Sequence, residues 1–86
     1  MTALPISVKG VILREGRVLL LENERAEWDL PGGRPRPAED DRAALAREVQ
    51  EETGLEVEVG DFIEEYLFEV LPQRFVRVIA YVCTLK

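Results

Sequence analysis

GRPRPAEDDRAALAREVQEETGL, residues 33–55, joins a loop rich in glycine and proline to a run of residues with high helix propensity. Asp40 or Asp41 can cap a helix start, because a short carboxylate accepts hydrogen bonds from the first backbone N–H groups. The run continues to Thr53, and Gly54 stands where a left-handed residue ends a helix. This stretch therefore predicts a helix that begins near residue 40 and ends at residue 53. Its buried stripe is expected to contain Leu45, Ala46 and Val49.

Three glutamates crowd one face of the predicted helix, because Glu48, Glu51 and Glu52 are spaced i, i+3 and i+4. Like charges at this spacing cost an isolated helix about 0.2–0.5 kcal/mol per pair. The small Ala44, one turn earlier, is expected to leave room above the carboxylates. Carboxylate oxygens suit hard divalent ions such as Mg²⁺ or Mn²⁺, so this face is a candidate metal site. Taken alone, the three glutamates would fit a solvated acidic face better than a metal site.

The segments on either side of the helix predict a sheet. Runs rich in β-branched and alternating apolar residues indicate strands at residues 6–13, 17–22, 55–59, 62–71 and 75–85. Turns are expected at residues 14–16, where Gly16 can take a positive φ, at residues 60–61 and at residues 72–74. WDLPGGRPRP, residues 28–37, contains two glycines and three prolines, which predicts a shaped loop rather than a regular element.

Composition limits both the size of the protein and its chemistry. A chain of 86 residues supports one small domain, residues 1–86, and the net charge of −6 disfavours nucleic acid and anionic membranes as partners. The sequence contains no histidine, which removes imidazole bases and the usual zinc sites. The single Cys83 excludes a disulfide framework and fits a reducing compartment. We find neither a signal-peptide pattern nor an apolar run long enough to span a bilayer, so a cytoplasmic location is expected.

Residues 33–55 resemble the Nudix box, which reads Gly, five residues, Glu, seven residues, and then Arg-Glu-apolar-x-Glu-Glu-x-Gly-apolar. Its nine defined positions are occupied by Gly33, Glu39, Arg47, Glu48, Val49, Glu51, Glu52, Gly54 and Leu55. The DLPG that precedes the box is also typical of the family. The resemblance covers the first two-thirds of the chain. It implies an α+β fold, an α/β/α sandwich in which a mixed sheet carries the helix of the box on one face.

The resemblance also implies a metal site and a reaction. Glu48, Glu51 and Glu52 would bind Mg²⁺, with Mn²⁺ possible, and the backbone carbonyl of Gly32 would be a further ligand. The implied reaction is hydrolysis of a diphosphate bond in a nucleoside diphosphate linked to another group. Glu48 is the best candidate in this chain for the water-activating base, although many family members take that base from a later loop.

Other residues of the box would support the metal ligands. By resemblance, Arg47 would hold the glutamates by hydrogen bonds, and Glu39 would brace either Arg47 or the start of the helix. Gly33 would supply a backbone shape closed to other residues, and Gly54 would end the helix. Val49 and Leu55 would pack in the core.

Four residues outside the glutamate face have both a functional and a structural interpretation. Arg34 and Arg36 flank the glycine loop, where they could contact substrate phosphates or remain ordinary solvated arginines, the interpretation we favour. Trp28 could stack on a base or sugar, but we expect it to anchor the loop against the sheet. Pro72 lies where some relatives carry a proline linked to ADP-ribose-like substrates, and we favour a simple strand connection.

Nudix domains usually continue after a strand such as residues 75–85 to further strands and a second helix on the other face of the sheet. This sequence reads as a domain shortened at its C-terminus, either a fragment or a chain that completes itself by pairing. Residues 62–71 and 75–85 would then expose apolar side chains, which predicts a homodimer. The alternative to a Mg²⁺-dependent hydrolase is a weakly active or inactive Nudix fold that binds a nucleotide or serves in assembly.

Overall fold

A computed structural model describes residues 4–86 as one mixed sheet, a small second sheet and one helix packed on the larger sheet. The strands are β1 (Ile6–Arg14), β2 (Arg17–Val18), β3 (Leu21–Glu22), β4 (Trp28–Asp29), β5 (Gly32–Gly33), β6 (Val57–Leu71) and β7 (Arg74–Leu85). The helix is α1 (Asp41–Thr53). The predicted α+β class, with a mixed sheet and the helix on one face, is confirmed. No helix within residues 4–86 is long and apolar enough to cross a bilayer.

The larger sheet has the order β2-β1-β7-β6, and β5 also pairs with β1. Strands β1 and β7 run parallel, in a register that extends from Ile6 opposite Arg77 to Ile12 opposite Cys83. The other pairs in this sheet are antiparallel. Parallel pairing needs a long crossover, and the intervening chain with α1 supplies it. This arrangement brings β5, with the two glycines of the loop, against the strand that faces the helix.

Alternation along β1 separates the two faces of the sheet. Val8 and Ile12 are buried and pack with Leu45 and Val49 of α1. Ile79, Tyr81 and Cys83 of β7 complete this core. The expected buried stripe of the helix is confirmed for its two largest members, and Ala46 packs partly buried at the edge of the core.

Two expectations about residues of α1 and its C-terminal end are wrong. Ala44 is fully buried in the core, so it does not leave space above the carboxylates. Leu55 is 38% exposed rather than buried, because the chain leaves the helix through Gly54 and returns to the core only at Val57.

The expected turn at Gly60-Asp61 is also wrong, because β6 runs unbroken from Val57 to Leu71. The register against β7 shifts between Val59 and Phe62, so the glycine lies in a β-bulge instead of a reversal. The Arg42 guanidinium of α1 donates to the backbone carbonyls of Val59 and Gly60. The helix therefore holds the bulge in place.

The two predicted hairpins are confirmed, and both use tight turns. Glu15 and Gly16 connect β1 to β2 with φ values of 52° and 77°, the signature of a type I′ turn. Pro72 and Gln73 connect β6 to β7, and Gln73 takes a φ of 63°. The single strand expected over residues 17–22 is instead divided into β2 and β3, which belong to different sheets.

Candidate functional site

Both ends of α1 are fixed by local hydrogen bonds, so the orientation of its glutamates is fixed as well. The Asp40 carboxylate caps the start by accepting from the backbone N–H groups of Arg42 and Ala43, at 3.1 and 3.3 Å. At the other end Gly54 has a φ of 75°, and its N–H donates to the Gln50 carbonyl at 2.8 Å. Of the two aspartates that the sequence offers, Asp40 is the cap.

Arg47 is the centre of the carboxylate cluster. Its Nε and Nη2 donate to the two oxygens of Glu39 at 2.8 and 2.9 Å, a bidentate pair. Its Nη1 donates to Glu48 Oε1 at 3.0 Å and to Glu51 Oε1 at 3.2 Å. Its Nη2 also lies 3.4 Å from the backbone carbonyl of Arg34. One guanidinium thus joins the loop, the start of the helix and two of the three glutamates.

The electrostatics of Glu39 follow from this contact. The hydrogen bonds from Arg47 lower the pKa of Glu39 to about 2, and the backbone N–H of Arg36, at 2.9 Å, contributes in the same direction. The same pair raises the pKa of Arg47. Both side chains are mostly shielded from water, at 17% and 19% exposed. Glu39 therefore braces Arg47, one of the two roles that the sequence left open.

Glu52 lies apart from the arginine and bonds the glycine loop instead. Its Oε1 accepts from the Gly32 N–H at 2.9 Å. Burial raises the pKa of Glu52, although the Gly32 hydrogen bond acts in the opposite direction and the charge of Glu48 reinforces the rise. Among the contacts of residues 4–86, this carboxylate is the one of the three glutamates without a hydrogen bond to Arg47.

The two loop glycines serve different purposes, and the sequence assigned one of them to the wrong position. The backbone conformation that only glycine can adopt is found at Gly32. Its φ is 145°, and a Cβ added there would lie 1.9 Å from the Val8 carbonyl oxygen. Gly33 has an ordinary φ, but a Cβ there would lie 2.6 Å from Glu48 Cδ. Its missing side chain makes room for the glutamate.

Within residues 4–86, no group of three or more Asp, Glu, Cys or His side chains converges closely enough to hold a metal ion. Glu48 and Glu51 face Arg47, while Glu52 faces the Gly32 amide. The donor chemistry still fits a hard divalent cation, because the available groups are carboxylate oxygens of one helix beside a backbone loop. The absence of a side chain at Gly33 lets the Glu48 carboxylate lie directly against the loop.

A groove of about 390 Å³ opens beside the glycine loop. Trp28 forms part of its wall and is 66% exposed, so the expectation that it packs the loop against the sheet is wrong. Arg34 also lines the groove, and its carbonyl accepts from Arg47, so the groove adjoins the carboxylate cluster. The other lining residues are Ser7, Lys9, Asn23, Arg25, Glu27, Asp29, Tyr66, Phe68, Val70, Val76 and Val78.

The remaining candidates fall outside this groove. The Arg36 guanidinium is 67% exposed and lies 3.7 Å from Glu51, so its side chain belongs to the rim of the carboxylate cluster. Pro72 is part of the two-residue turn between β6 and β7, as a strand connection.

Sequence reasoning missed Lys9, Asp29 and Tyr66 of the groove. The signal for Lys9 was present, because a lone lysine interrupts the apolar run ISVKGVIL of a central strand. Asp29 and Tyr66 carried no comparable signal, since their position beside the groove depends on tertiary structure.

The sequence matches the NUDIX domain family over residues 3–85, nearly its whole length, and the chain belongs to this family. Among its relatives, the CTP pyrophosphohydrolase of Escherichia coli K12 is 35% identical over 68 residues, 73% of this chain. The putative 8-oxo-dGTP diphosphatase 2 of Mycobacterium tuberculosis H37Rv is 47% identical over 64 residues, 65% of this chain. The chain spans about half the length of these relatives, 50% and 45% respectively.

Solved structures agree with the fold. The MutT protein of Methanosarcina mazei Go1 superimposes with a TM-score of 0.80 and 41% identity, over 91% of this chain and 61% of that protein. A UDP-X diphosphatase superimposes with a TM-score of 0.88 over 100% of this chain and 44% of that protein. Its identity is 19%, so this second likeness concerns the fold alone.

Proposed function

We propose that this chain supports Mg²⁺-dependent hydrolysis of a diphosphate bond in a nucleoside diphosphate linked to another group. The observation that carries the proposal is the adjacency of two features. The Arg47 network gathers Glu48 and Glu51 on one helix and contacts the carbonyl of Arg34, a residue that also lines the groove with the exposed indole. A nucleotide needs both parts, a surface for its base and sugar and a cation-binding surface for its phosphates.

The carboxylates of Glu48, Glu51 and Glu52, with the Gly32 carbonyl, are the groups that would hold Mg²⁺ or Mn²⁺. A bound ion would neutralise the charge of the substrate phosphates and polarise the phosphorus that is attacked. Arg47 orients the glutamates, and Glu39 in turn fixes the guanidinium through its two hydrogen bonds.

The chain's own side chains perform the remaining tasks of the reaction. Glu48, held by Arg47 at 3.0 Å, accepts a proton from the water that attacks phosphorus. Trp28 offers its exposed ring to the base or sugar, and Arg34 offers its charge to the phosphates. Arg36, beside Glu51, is a second cation for the phosphates at the rim.

The relatives support this class of reaction and suggest a range of substrates. Their names describe a CTP pyrophosphohydrolase and a putative 8-oxo-dGTP diphosphatase, both of which imply small nucleotide substrates. We propose a small nucleoside diphosphate derivative as the partner of this site. The acidic net charge of −6 disfavours a nucleic acid in the same groove.

The test is turnover of a panel of nucleoside diphosphate derivatives with and without Mg²⁺. Metal-dependent release of phosphate products is expected, and Glu51→Gln should lower kcat by at least about 10²-fold, the scale of removing a charge-stabilising group. The exposed Glu56, which lies beyond the helix, provides a matched control in Glu56→Gln. Turnover that persists in EDTA, or a Glu51→Gln variant as active as the control, would contradict the proposal.

We also propose a cytoplasmic setting and a homodimer. The single cysteine is 3% exposed in the core, and burial raises the pKa of its thiol, which suits a protein that uses no disulfide. Large apolar side chains remain exposed along β6, which supports self-association.

A further inference from the structure

Lys9 occupies an unusual place for a lysine, the middle of a central strand. Because side chains alternate along β1, Val8 and Gly10 face α1, while Ser7 and Lys9 belong to the groove face. Its side chain is only 18% exposed, and Val76 and Val78 line the same groove. Lysine is rarely buried to this degree unless its charge has partners, so its contacts indicate its role.

The partners of the Lys9 ammonium satisfy it incompletely. Its Nζ donates to Asp29 Oδ2 and to the Leu30 carbonyl, each at 3.2 Å. Charge-assisted hydrogen bonds are usually about 2.7–2.9 Å, so both contacts are long. An ammonium has three donors, and these contacts use two of them. Asp29 itself is 53% exposed, which makes it a partner that water or a ligand can replace.

Lys9 also lies next to the carboxylate cluster. In the pairing of β1 with β5, Lys9 is opposite Gly32, whose N–H donates to Glu52. Arg34, which also lines the groove, directly follows β5 of the same strand pair. The ammonium of Lys9 therefore lies between the groove wall that contains Trp28 and the glutamates of α1. The phosphates of a nucleotide whose base stacks on Trp28 would lie in this region.

We propose that Lys9 is a phosphate-binding residue, whose ammonium exchanges the Asp29 carboxylate for an anionic oxygen of the substrate. This assignment rests on the proposed function and adds to it the residue that receives the phosphate on the groove side. The competing role is purely structural, in which the ion pair with Asp29 fastens residues 28–30 to the sheet. The two roles predict opposite effects for the partner variant Asp29→Asn.

The experiment is calorimetric binding of a non-hydrolysable α,β-methylene analogue of CTP and of inorganic pyrophosphate, which requires no turnover. Lys9→Met should raise the Kd for both ligands at least about tenfold, while Lys9→Arg should restore most of the affinity because it keeps the charge. Asp29→Asn should leave both Kd values unchanged or lower them, since it releases the ammonium. Arg14→Met is the matched control, because it removes one charge from an exposed side chain of the same strand, outside the groove.

The outcomes separate the possibilities. Equal weakening by Lys9→Met and Asp29→Asn would overturn the assignment in favour of a structural tie, as would equal weakening by the Arg14→Met control. A Lys9→Met variant that binds both ligands like the wild type would overturn it while leaving the hydrolase proposal intact. A wild-type chain that binds neither ligand would instead overturn the proposed function itself, and this assignment with it. Urea unfolding of each variant verifies that only folded proteins are compared.

Discussion

Arg47 explains how three glutamates share one face of a short helix. Repulsion at these spacings costs a few tenths of a kcal/mol per pair, which a single guanidinium in contact with two of the three offsets. The bidentate bond to Glu39 prevents the arginine from rotating away. A lysine could not replace it, because a point charge on a flexible stem cannot bond three carboxylates in one plane.

The Glu39–Arg47 pair predicts a specific loss of stability in acid. The pKa of Glu39 is about 2 in the folded chain and about 4.5 in the unfolded one, so the pair contributes fully above pH 4.5. The contribution is lost as the pH falls from 4.5 towards 2, because protonation of Glu39 removes the charge that Arg47 binds. We expect Glu39→Gln to show a smaller loss of unfolding free energy over this window than the wild type.

This pH dependence can be measured by urea unfolding, followed by far-ultraviolet circular dichroism, at a series of pH values. Glu56→Gln removes an exposed carboxylate and should retain the wild-type slope. Parallel curves for Glu39→Gln and the wild type would contradict the prediction.

Gly33 predicts a coupling between the glycine loop and Glu48. A methyl group at Gly33 would lie 2.6 Å from Glu48 Cδ, so Gly33→Ala should destabilise the chain by about 1–3 kcal/mol through overpacking. In a Glu48→Ala background most of this cost should disappear, since the obstructing carboxylate is gone. A double-mutant cycle in unfolding free energy measures the coupling, and an equal cost in both backgrounds would show that Glu48 is not the obstacle.

At the scale of the element, the helix was predictable because its signals are local. The capping aspartate, the helix-forming residues and the terminal glycine all lie between Asp40 and Gly54, and the structure places the ends where the sequence indicated. The choice between Asp40 and Asp41 was not predictable, because both carboxylates suit a cap and only the path of the preceding loop separates them.

That choice can be tested by mutation. Asp40→Ala should lower the unfolding free energy by about 1 kcal/mol, because two backbone N–H groups lose their acceptor. Asp41→Ala should cost less, since Asp41 in the first turn interacts only with the helix dipole. Asp40→Ser should recover most of the loss. A larger effect at Asp41 than at Asp40 would reverse the assignment.

The strands were harder to predict, for physical reasons that differ between them. Gly60-Asp61 looked like a turn because glycine and aspartate favour reversals, but Arg42 from a distant helix stabilises a bulge there instead. The prediction of a single strand over residues 17–22 is wrong because Leu21 and Glu22 pair with β4. No pattern in the neighbouring sequence indicates that pairing. The parallel pairing of β1 with β7 also depends on distant residues.

The candidate site was predictable to the extent that it lies within the helix. The contact between Glu39 and Arg47 that the Nudix box implies is present in the structure. The binding of a metal ion by Glu48, Glu51 and Glu52 remains a prediction. Trp28 was misjudged because the exposure of an aromatic residue in a loop depends on what the sheet presents beneath it. Here that surface is a groove, which no local pattern could have indicated.

At the scale of the whole molecule, β6 is the edge of the sheet, and within residues 4–86 its outer side has no pairing strand. Seven of its large apolar side chains are at least 41% exposed, and they are Phe62, Ile63, Tyr66, Leu67, Phe68, Val70 and Leu71. An exposed edge of this kind promotes association unless charge opposes it. The same strand carries five acidic residues, at 58, 61, 64, 65 and 69, which would repel their counterparts in a second copy.

We therefore expect a homodimer that strengthens with salt, because added ions screen the acidic repulsion and leave the apolar attraction. Sedimentation equilibrium at micromolar concentration should give twice the chain mass of 9.8 kDa. Leu67→Lys should shift the mass towards the monomer, whereas Leu13→Lys, at an equally exposed position on β1, should not. A folded, non-aggregating species with the mass of a single chain in high salt would contradict the prediction.

The exposed position of Trp28 gives the groove an optical reporter of its own. The chain contains a single tryptophan, so all of its indole fluorescence comes from one wall of that cavity. A base that stacks on the ring would quench the emission and shift it to shorter wavelength, and a titration would read occupancy of the groove directly. Because the indole is already 66% exposed in the folded chain, unfolding should change its colour little. In this protein, the wavelength of the emission would report the ligand far better than it reports the fold.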